Sequence, residues 1–328
     1  MGGDNAPESI LQGAMLASAA DGPWKLDPAR ILLVGDQAVI GAFLSEHGAA
    51  GRFAVQHAGQ VIGMAESPAT ALRAKPDSSI SVCIKVVKTH DAGAIVSMGN
   101  TGAVVGAATL GLGTLEGVKR PGIAVTLNLT GTPVTILDMG AQVAPKPQHL
   151  LQYGLMGAIY SRDCLGVAKP RVGLLNIGEE ASKGTDLLKE TYPLLAASGL
   201  DFVGNVESSG LFKGLADVIV TDGFTGNIVL KLMEEFSGFI LKLVLTELKA
   251  HSVQWGPEAL GKIKQHIDYA EYGGALLLGV DGIVVKGHGR SDAQAVANAL
   301  MQASKAVDSD VNKHIVQGLS GLAAAGDA

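Results

Sequence analysis

Val96-Ser-Met-Gly99-Asn100-Thr101-Gly102-Ala-Val104 and Val220-Thr-Asp222-Gly223-Phe-Thr225-Gly226-Asn227-Ile228 carry one pattern: an apolar strand, then Gly-x-Thr-Gly, then a helix-compatible run. A strand that turns into a helix at glycines is the β-to-α crest of a layered α/β fold, and ligands sit beyond such crests. The two crests read as one design. Their glycines let the backbone approach closely and free several N–H groups, the threonine hydroxyl adds a donor, and the helix dipole favours negative charge at that end. Taken alone, both also serve as ordinary β-to-α turns.

Working outward, short β-rich runs alternate with longer helical patterns. Strands are expected at Ile31 to Gly35, Ala94 to Met98, Ile123 to Leu127, Val134 to Met139, Val172 to Ile177, Phe202 to Val206, Val218 to Thr221 and Ile283 to Lys286. Several are apolar throughout, as strands buried on both faces are, so the sheet reads as mostly parallel. Thr130-Gly131-Thr132 between two such runs predicts a hairpin and one antiparallel pair. Helices are expected near Asp77 to His90, Thr101 to Gly111, Pro147 to Ser161, Lys183 to Ala197, Asn227 to Ala250 and Ser291 to Gln317. Ser291 and Gln294 form a capping-box signature for the last of these.

Asn227 to about Tyr269 differs from the rest. Phe236, Phe239, Ile240, Leu243, Val244 and Leu248 recur at helical spacing, and a second helical piece follows Gly256-Pro257. The expectation is a single α/β body, residues 1–328, with a projecting helical hairpin at 227–269. A long apolar stripe needs cover from the body, from a second copy or from lipid, and all three are open.

Composition narrows the classes. The chain has 328 residues, 47% hydrophobic and 17% charged, which excludes intrinsic disorder. A formal charge of −6 with no basic stripe argues against nucleic acid. Two cysteines, Cys83 and Cys164, make neither a disulfide framework nor a zinc cluster and fit a reducing, cytoplasmic setting. The opening Met1 to Pro7 lacks the basic start and apolar run of a secretory signal, and charges interrupt the greasiest stretch before it could span a bilayer. The 44 glycines stand singly or in pairs between apolar runs, as tight crest turns require.

Two further crests join the first pair. Asn176-Ile-Gly178-Glu179-Glu180-Ala-Ser-Lys183-Gly184 brings Lys183 into or beside a helix's first turn, where the dipole disfavours a cation unless an anion meets it. Lys286-Gly287-His288-Gly289-Arg290 sets an imidazole inside a glycine crest. A solvated lysine and an idle turn histidine remain the plain alternatives. No Walker-type phosphate loop, dinucleotide fingerprint, His-Glu-x-x-His, Cys-x-x-Cys or Gly-x-Ser-x-Gly is present. What remains is anion binding by backbone crests without metal or nucleotide, which suits phosphate as a substrate.

These segments resemble the bacterial phosphate acyltransferase family, enzymes of phospholipid synthesis acting on acyl-(acyl carrier protein) and phosphate. The likeness runs from Met1 to about Asn298 through Met-Gly-Gly-Asp-x-Ala-Pro at 1–7, Asp77-Ser-Ser79, Gly99 to Gly102, Arg120-Pro121, Leu137 to Ala141, Gly178 to Gly184, Gly204 to Glu207, Asp222 to Asn227, Tyr272-Gly-Gly274 and His288-Gly289. It implies transfer of a fatty acyl group from the carrier-protein thioester to inorganic phosphate, the first step toward phosphatidic acid, with handover to a membrane glycerol-3-phosphate acyltransferase. It implies a homodimer of three-layer α/β/α sandwiches resembling isocitrate dehydrogenase and phosphotransacetylase, peripheral on the inner membrane face, and no cofactor. A coenzyme-A-dependent phosphotransacetylase is the alternative.

The expected catalytic residues are Lys183, Asn227, His288 and Asp222. The expected phosphate and substrate contacts are Asp4, Gly99, Asn100, Thr101, Gly102, Gly178, Glu180, Gly223, Thr225 and Gly226. The sequence departs from the family twice. Members carry a first strand ending in Asp-Ala ahead of the motif that here begins at Met1, and the usual Gly-Ala-Asn reads Gly140-Ala141-Gln142, a position given no role.

Overall fold

The computed structural model describes residues 1–128, 131–250 and 273–326. In chain order its elements are α1 (Glu8–Ala17), β1 (Leu32–Gly35), α2 (Gln37–Glu46), β2 (Ala54–His57), α3 (Pro68–Ala74), α4 (Ser79–Lys88), β3 (Ala94–Ser97), α5 (Thr101–Gly111), β4 (Gly122–Asn128) and β5 (Pro133–Leu137). They continue with α6 (Pro147–Leu165), β6 (Arg171–Leu175), α7 (Asp186–Ala196), β7 (Asp201–Val206), α8 (Ser208–Leu211), β8 (Val218–Val220), α9 (Gly223–Ala250), β9 (Ala275–Leu278), β10 (Ile283–Lys286), α10 (Ala293–Asp308) and α11 (Val311–Gly326). The architecture is mixed α/β, mostly parallel, with helices on both sides of the strands, as expected.

The chain forms two compact units: Met1–Pro121 with Tyr272–Val316, and Gly122–Glu271 with Gln317–Ala328. In the first, β3 pairs parallel with β10, β10 antiparallel with β9, and β1 parallel with β2. Its core joins Leu11 and Ala14 of α1 to Leu33 of β1 and to Ile40 and Leu44 of α2, each at most 6% exposed. In the second, β5, β8, β6 and β7 are successive parallel neighbours, while β4 pairs antiparallel with β5. That antiparallel pair is the expected hairpin, although Thr130 in its turn lies outside the described residues.

The second unit's core sets Leu150, Tyr153, Met156 and Tyr160 of α6 against Ile136, Val172, Leu174, Val218 and Ile219, each at most 1% exposed. Full burial of such a side chain contributes roughly 1.5–3 kcal/mol. Helix α6 is delimited locally, with Pro147 in its first turn and Gly166 at φ 77° ending it.

Several expectations are corrected. The single helix expected from Ser291 to Gln317 is two, because Asp310 takes φ 51° between α10 and α11. The Ser291 capping box is not formed. Helix α10 starts at Ala293, so Asp292 is its cap, and its carboxylate accepts from Ala295 N at 2.9 Å. Strand β2 was not expected, since its residues are largely exposed and lack an apolar run; β9 likewise went unforeseen. Helix α9 begins at Gly223, four residues before Asn227. The hairpin's second arm, after Gly256-Pro257, lies outside the described residues, as does Tyr272.

Candidate functional site: two crest rims

In the first unit β3 and β10 run parallel with Ser97 opposite Lys286, so the crests that follow them leave the same edge. Gly287 N donates to Ser97 O at 3.0 Å and ties the two together. The N-terminal segment closes onto them: Asp4 N donates to Gly289 O at 2.9 Å, and Asn5 Nδ2 to Arg290 O at 2.9 Å. A Cβ on Gly3 would lie 3.0 Å from Met98 O, and one on Gly289 would lie 2.8 Å from Asp4 Oδ2. This rim thus brings together Asp4, Gly99 to Gly102 and His288.

Asn100 and Thr101 divide the labour differently from the expectation. Asn100 is buried and is the N-cap of α5: its Oδ1 accepts from Ala103 N at 3.0 Å, while its Nδ2 donates to Met64 O at 2.9 Å and Glu66 O at 3.1 Å. Its side chain therefore holds the helix start to the 63–66 loop rather than facing a ligand. Thr101 is the first helical residue and is exposed. His288 is half-buried, and its Nδ1 accepts from Arg290 N at 3.1 Å, which puts the proton of the neutral ring on Nε2.

In the second unit β5, β8 and β6 end on one edge, because all are parallel and neighbours. Their crests follow one another along it. The first is organised by Asp138, which is fully buried: Oδ1 accepts from Ile123 N (2.9 Å), Gly140 N (3.0 Å) and Ala141 N (2.9 Å), and Oδ2 from Gln142 N (2.7 Å). Burial pushes its carboxyl above the ordinary value, while those four backbone donors pull the other way. Gln142 acts through its backbone, its carbonyl accepting from Gly223 N at 3.0 Å.

The N-terminus of α9 sits directly on this loop. A Cβ on Gly223 would lie 2.6 Å from both Asp138 Oδ2 and Gln142 O, and one on Gly226 would overlap the Asp138 carbonyl oxygen. Only glycine permits that approach. Asn227 is exposed beside Gly140, whose absent Cβ would meet Asn227 Oδ1 at 3.4 Å.

Asp222, expected among the catalytic residues, caps α9: Oδ1 accepts from Thr225 N at 2.9 Å and Oδ2 from Thr225 Oγ1 at 2.7 Å. The Thr225 hydroxyl hydrogen is accordingly spent on Asp222. The two Gly-x-Thr-Gly crests are not one design. In the first, Gly99 and Asn100 precede the helix; in the second, all four residues lie inside it. The cap decides the register, Asn100 in one case and Asp222 in the other.

The crest after β6 is pinned by two asparagines. Asn176 Nδ2 donates to Lys183 O at 3.1 Å, its Oδ1 accepts from Ile177 N at 2.8 Å, and Asn205 Nδ2 donates to Glu180 O at 2.8 Å. Lys183 and Glu180 fold over Gly178, where a Cβ would come within 3.0 Å of Lys183 Cγ and Glu180 Oε2. Lys183 is exposed, precedes the α7 cap Thr185 by two residues, and makes no ion pair among the described residues. A cation without a counter-ion near a helix start is fitted to an anion.

Asp138, Asn176 and Asn205 were missed as site residues. The legible signal for Asp138 was an ionisable residue directly after an apolar strand, two positions before Gly140. Among the described residues no cluster of three His, Cys, Asp or Glu side chains could hold a metal, and no helix is long and apolar enough to cross a membrane.

Solved structures share the fold: a phosphotransacetylase from Streptococcus pyogenes at TM-score 0.64 and 14% identity, covering 92% of each chain, and EutD phosphotransacetylase from Staphylococcus aureus at TM-score 0.59 and 12% identity, covering 91% of this chain and 90% of that one. The chain is 42% identical over 317 residues to a phosphate acyltransferase of Bacillus licheniformis, covering 95% of this chain and 94% of the relative. It is 43% identical over 335 residues to one of Dictyoglomus turgidum, covering 100% and 98%. The family model described as fatty acid synthesis protein matches residues 1–314. The chain therefore belongs to this family of fatty acid synthesis proteins, whose curated relatives are phosphate acyltransferases.

Proposed function

We propose that this enzyme transfers a fatty acyl group from the thioester of acyl carrier protein to inorganic phosphate, giving acyl phosphate and free carrier protein, the first step toward phosphatidic acid. The observation that carries the reading is the second unit's rim, where glycine lets the start of α9 sit on the Asp138 loop, next to the pinned crest that carries unpaired Lys183. A phosphate oxygen attacks the thioester carbonyl carbon, the C–O bond forms, the C–S bond breaks, and the thiolate leaves with the sulfur's electron pair. No acyl-enzyme is needed, so positioning and charge stabilisation supply the rate.

Lys183 holds the phosphate and offsets charge in the tetrahedral intermediate. Asn227 donates through its side-chain amide, with Gly178, Glu180, Gly223 and Gly226 shaping the backbone around them. Asp222 and Thr225 act by holding the start of α9. On the first unit's rim, Asp4 fixes the crest that carries His288, its backbone N–H donating to Gly289 O at 2.9 Å.

No metal or nucleotide enters the reaction, and phosphate and acyl carrier protein are its partners. The enzyme works in the cytoplasm as a homodimer, peripheral on the inner membrane face, handing its product to a membrane glycerol-3-phosphate acyltransferase. The exposed stripe Ile228, Leu232, Phe236, Phe239 and Leu243 on α9, each 45–65% exposed, supports such an apolar contact.

The test is acyl-phosphate formation from palmitoyl carrier protein and phosphate, with acetyl-CoA as rival donor. The phosphotransacetylase-like fold favours the rival reading, and preferred use of acetyl-CoA establishes it in place of the proposal. Lys183→Ala is expected to lose about 3 kcal/mol of transition-state stabilisation, the scale of a removed oxyanion donor. Near-normal turnover of that variant removes Lys183 from the mechanism.

A further inference from the structure

The crest after β6 sets an acid beside its lysine. A Cβ on Gly178 would lie 3.0 Å from both Glu180 Oε2 and Lys183 Cγ, so one bare glycine lies beneath a carboxylate and the stem of an ammonium. Opposite charges this close attract, yet no ion pair joins them. Neither side chain has another hydrogen-bond or ion-pair partner among the described residues, and both are exposed.

The backbone under the two groups is fixed from the strands. Glu180 O accepts from Asn205 Nδ2 at 2.8 Å and from Lys183 N at 3.0 Å, while Lys183 O accepts from Asn176 Nδ2 at 3.1 Å. Asn176 and Asn205 are only 8% and 7% exposed, so packing holds both amides in place. The acid and the lysine therefore stand on a rigid floor, each tied through its own carbonyl.

Strand β7 is built to aim Asn205 at this floor. Val172 pairs with Phe202 and Gly173 with Gly204, so Val203 has no partner and the register slips by one residue. Gly204 takes φ 91°, which glycine adopts without steric cost. One extra residue reverses the face taken by every later side chain, and bulges beside active sites serve to re-aim them. Without the slip, Asn205 would turn away and the Glu180 carbonyl would lose its strand donor.

An occupant of this jaw has to suit both ends at once. A cation would suit Glu180 and be repelled by Lys183. Sulfate would suit Lys183, but at Glu180 it would set acceptor against acceptor and like charge against like charge. Hydrogen phosphate is a tetrahedral dianion too, and it carries the hydroxyl that sulfate lacks. Its charge meets the ammonium while its O–H donates to the carboxylate, a short charge-assisted bond.

We infer that Glu180 is the specificity-determining residue of the phosphate site, its carboxylate accepting a hydrogen bond from the hydroxyl of hydrogen phosphate and thereby excluding sulfate. This rests on the reading of Lys183 as the group that holds phosphate. The proton stays on phosphate during transfer, because an oxygen without hydrogen attacks the thioester.

Calorimetric titration with sodium phosphate and with sodium sulfate, at constant ionic strength and without acyl donor, tests this on the parent chain, Glu180→Gln and Lys183→Ala. The parent is expected to bind phosphate at least about tenfold more tightly than sulfate, since a site built around a substrate hydroxyl rejects the analogue lacking it. Removing the Glu180 charge strengthens both dianions alike, so the ratio of the two affinities is the readout. In Glu180→Gln that ratio is expected to fall to within about threefold of unity, because the glutamine amide donates to either anion. Sulfate should then compete with phosphate in the turnover assay of this variant and not of the parent. Thermal unfolding beside the parent checks that the exposed, nearly isosteric substitution leaves the fold intact.

A parent that takes both anions equally overturns the proposal. So does an unchanged ratio in Glu180→Gln while Lys183→Ala weakens both anions, a result that leaves Lys183 in its role. Phosphate binding to Lys183→Ala as tight as to the parent removes instead the reading of Lys183 on which the proposal stands.

Discussion

Gly223→Ala isolates the close approach on which the second rim depends. The added methyl would stand 2.6 Å from Gln142 O and from Asp138 Oδ2, where ordinary contact begins at 3.4 Å, so helix and loop must part by about 0.8 Å. Gln142 O is backbone and Asp138 is locked by four N–H donors, so neither can rotate aside. Overpacking of this kind costs about 1–3 kcal/mol. A misplacement near 1 Å lowers turnover by roughly 10²-fold when positioning supplies the rate.

The control is Gly238→Ala on the same helix, where an added methyl meets nothing within 4 Å. It should leave turnover unchanged and raise stability by about 0.5–1 kcal/mol through helix propensity alone. The assays are steady-state acyl-phosphate formation and thermal unfolding of both variants beside the parent. If Gly223→Ala stays within threefold of parental turnover, the claim that glycine seats α9 on the Asp138 loop for catalysis is wrong.

Three further outcomes are expected. His90 stands just past the end of α4 at φ 62°, a left-handed conformation that costs an L-residue about 1 kcal/mol; His90→Gly should raise the unfolding free energy by about 0.5–1 kcal/mol in urea titration, and His90→Ala should not. Burial would raise the Asp217 carboxyl, but Arg171, donating through its side chain at 3.0 Å and its backbone at 2.9 Å, holds it below the ordinary value. That stability is present above about pH 4 and lost as pH falls through the depressed value. Asp217→Ala should therefore cost about 1–2 kcal/mol at pH 7, discounted for the partly exposed Arg171, and progressively less in acid unfolding curves. Burial pushes the Cys83 thiol up to about 11, leaving roughly one part in a thousand as thiolate at pH 8. Iodoacetamide should label it at least about tenfold more slowly than free cysteine until the protein is unfolded; labelling at the free rate would contradict that burial.

Where apolar periodicity was strong, the elements were legible. Strand β6 from Val172 to Leu175 and strand β8 (Val218–Val220) are buried on both faces, and burial in a parallel sheet accounts for such apolar runs, whereas Ile177, expected in the first of them, lies beyond the strand and is 83% exposed. Strand β2 was invisible because its exposed residues leave no apolar signature, and its pairing with β1 comes from tertiary contact. The break at Asp310 was hidden inside a continuous helical pattern, since one residue at positive φ reverses the chain without altering hydrophobic spacing.

The candidate site divides in the same way. Local order in the chain determined which residue types could gather at crests: glycines that admit close backbone, a lysine ahead of a helix, a histidine among glycines. Only the fold decided what each does. It spends Asn100, Asp222 and Thr225 on helix starts, makes Asp138 the hub of a loop, and leaves Lys183 and Asn227 exposed. Residue type and spacing are properties of neighbours along the chain, whereas which donor meets which acceptor depends on strands far apart in sequence coming to lie side by side.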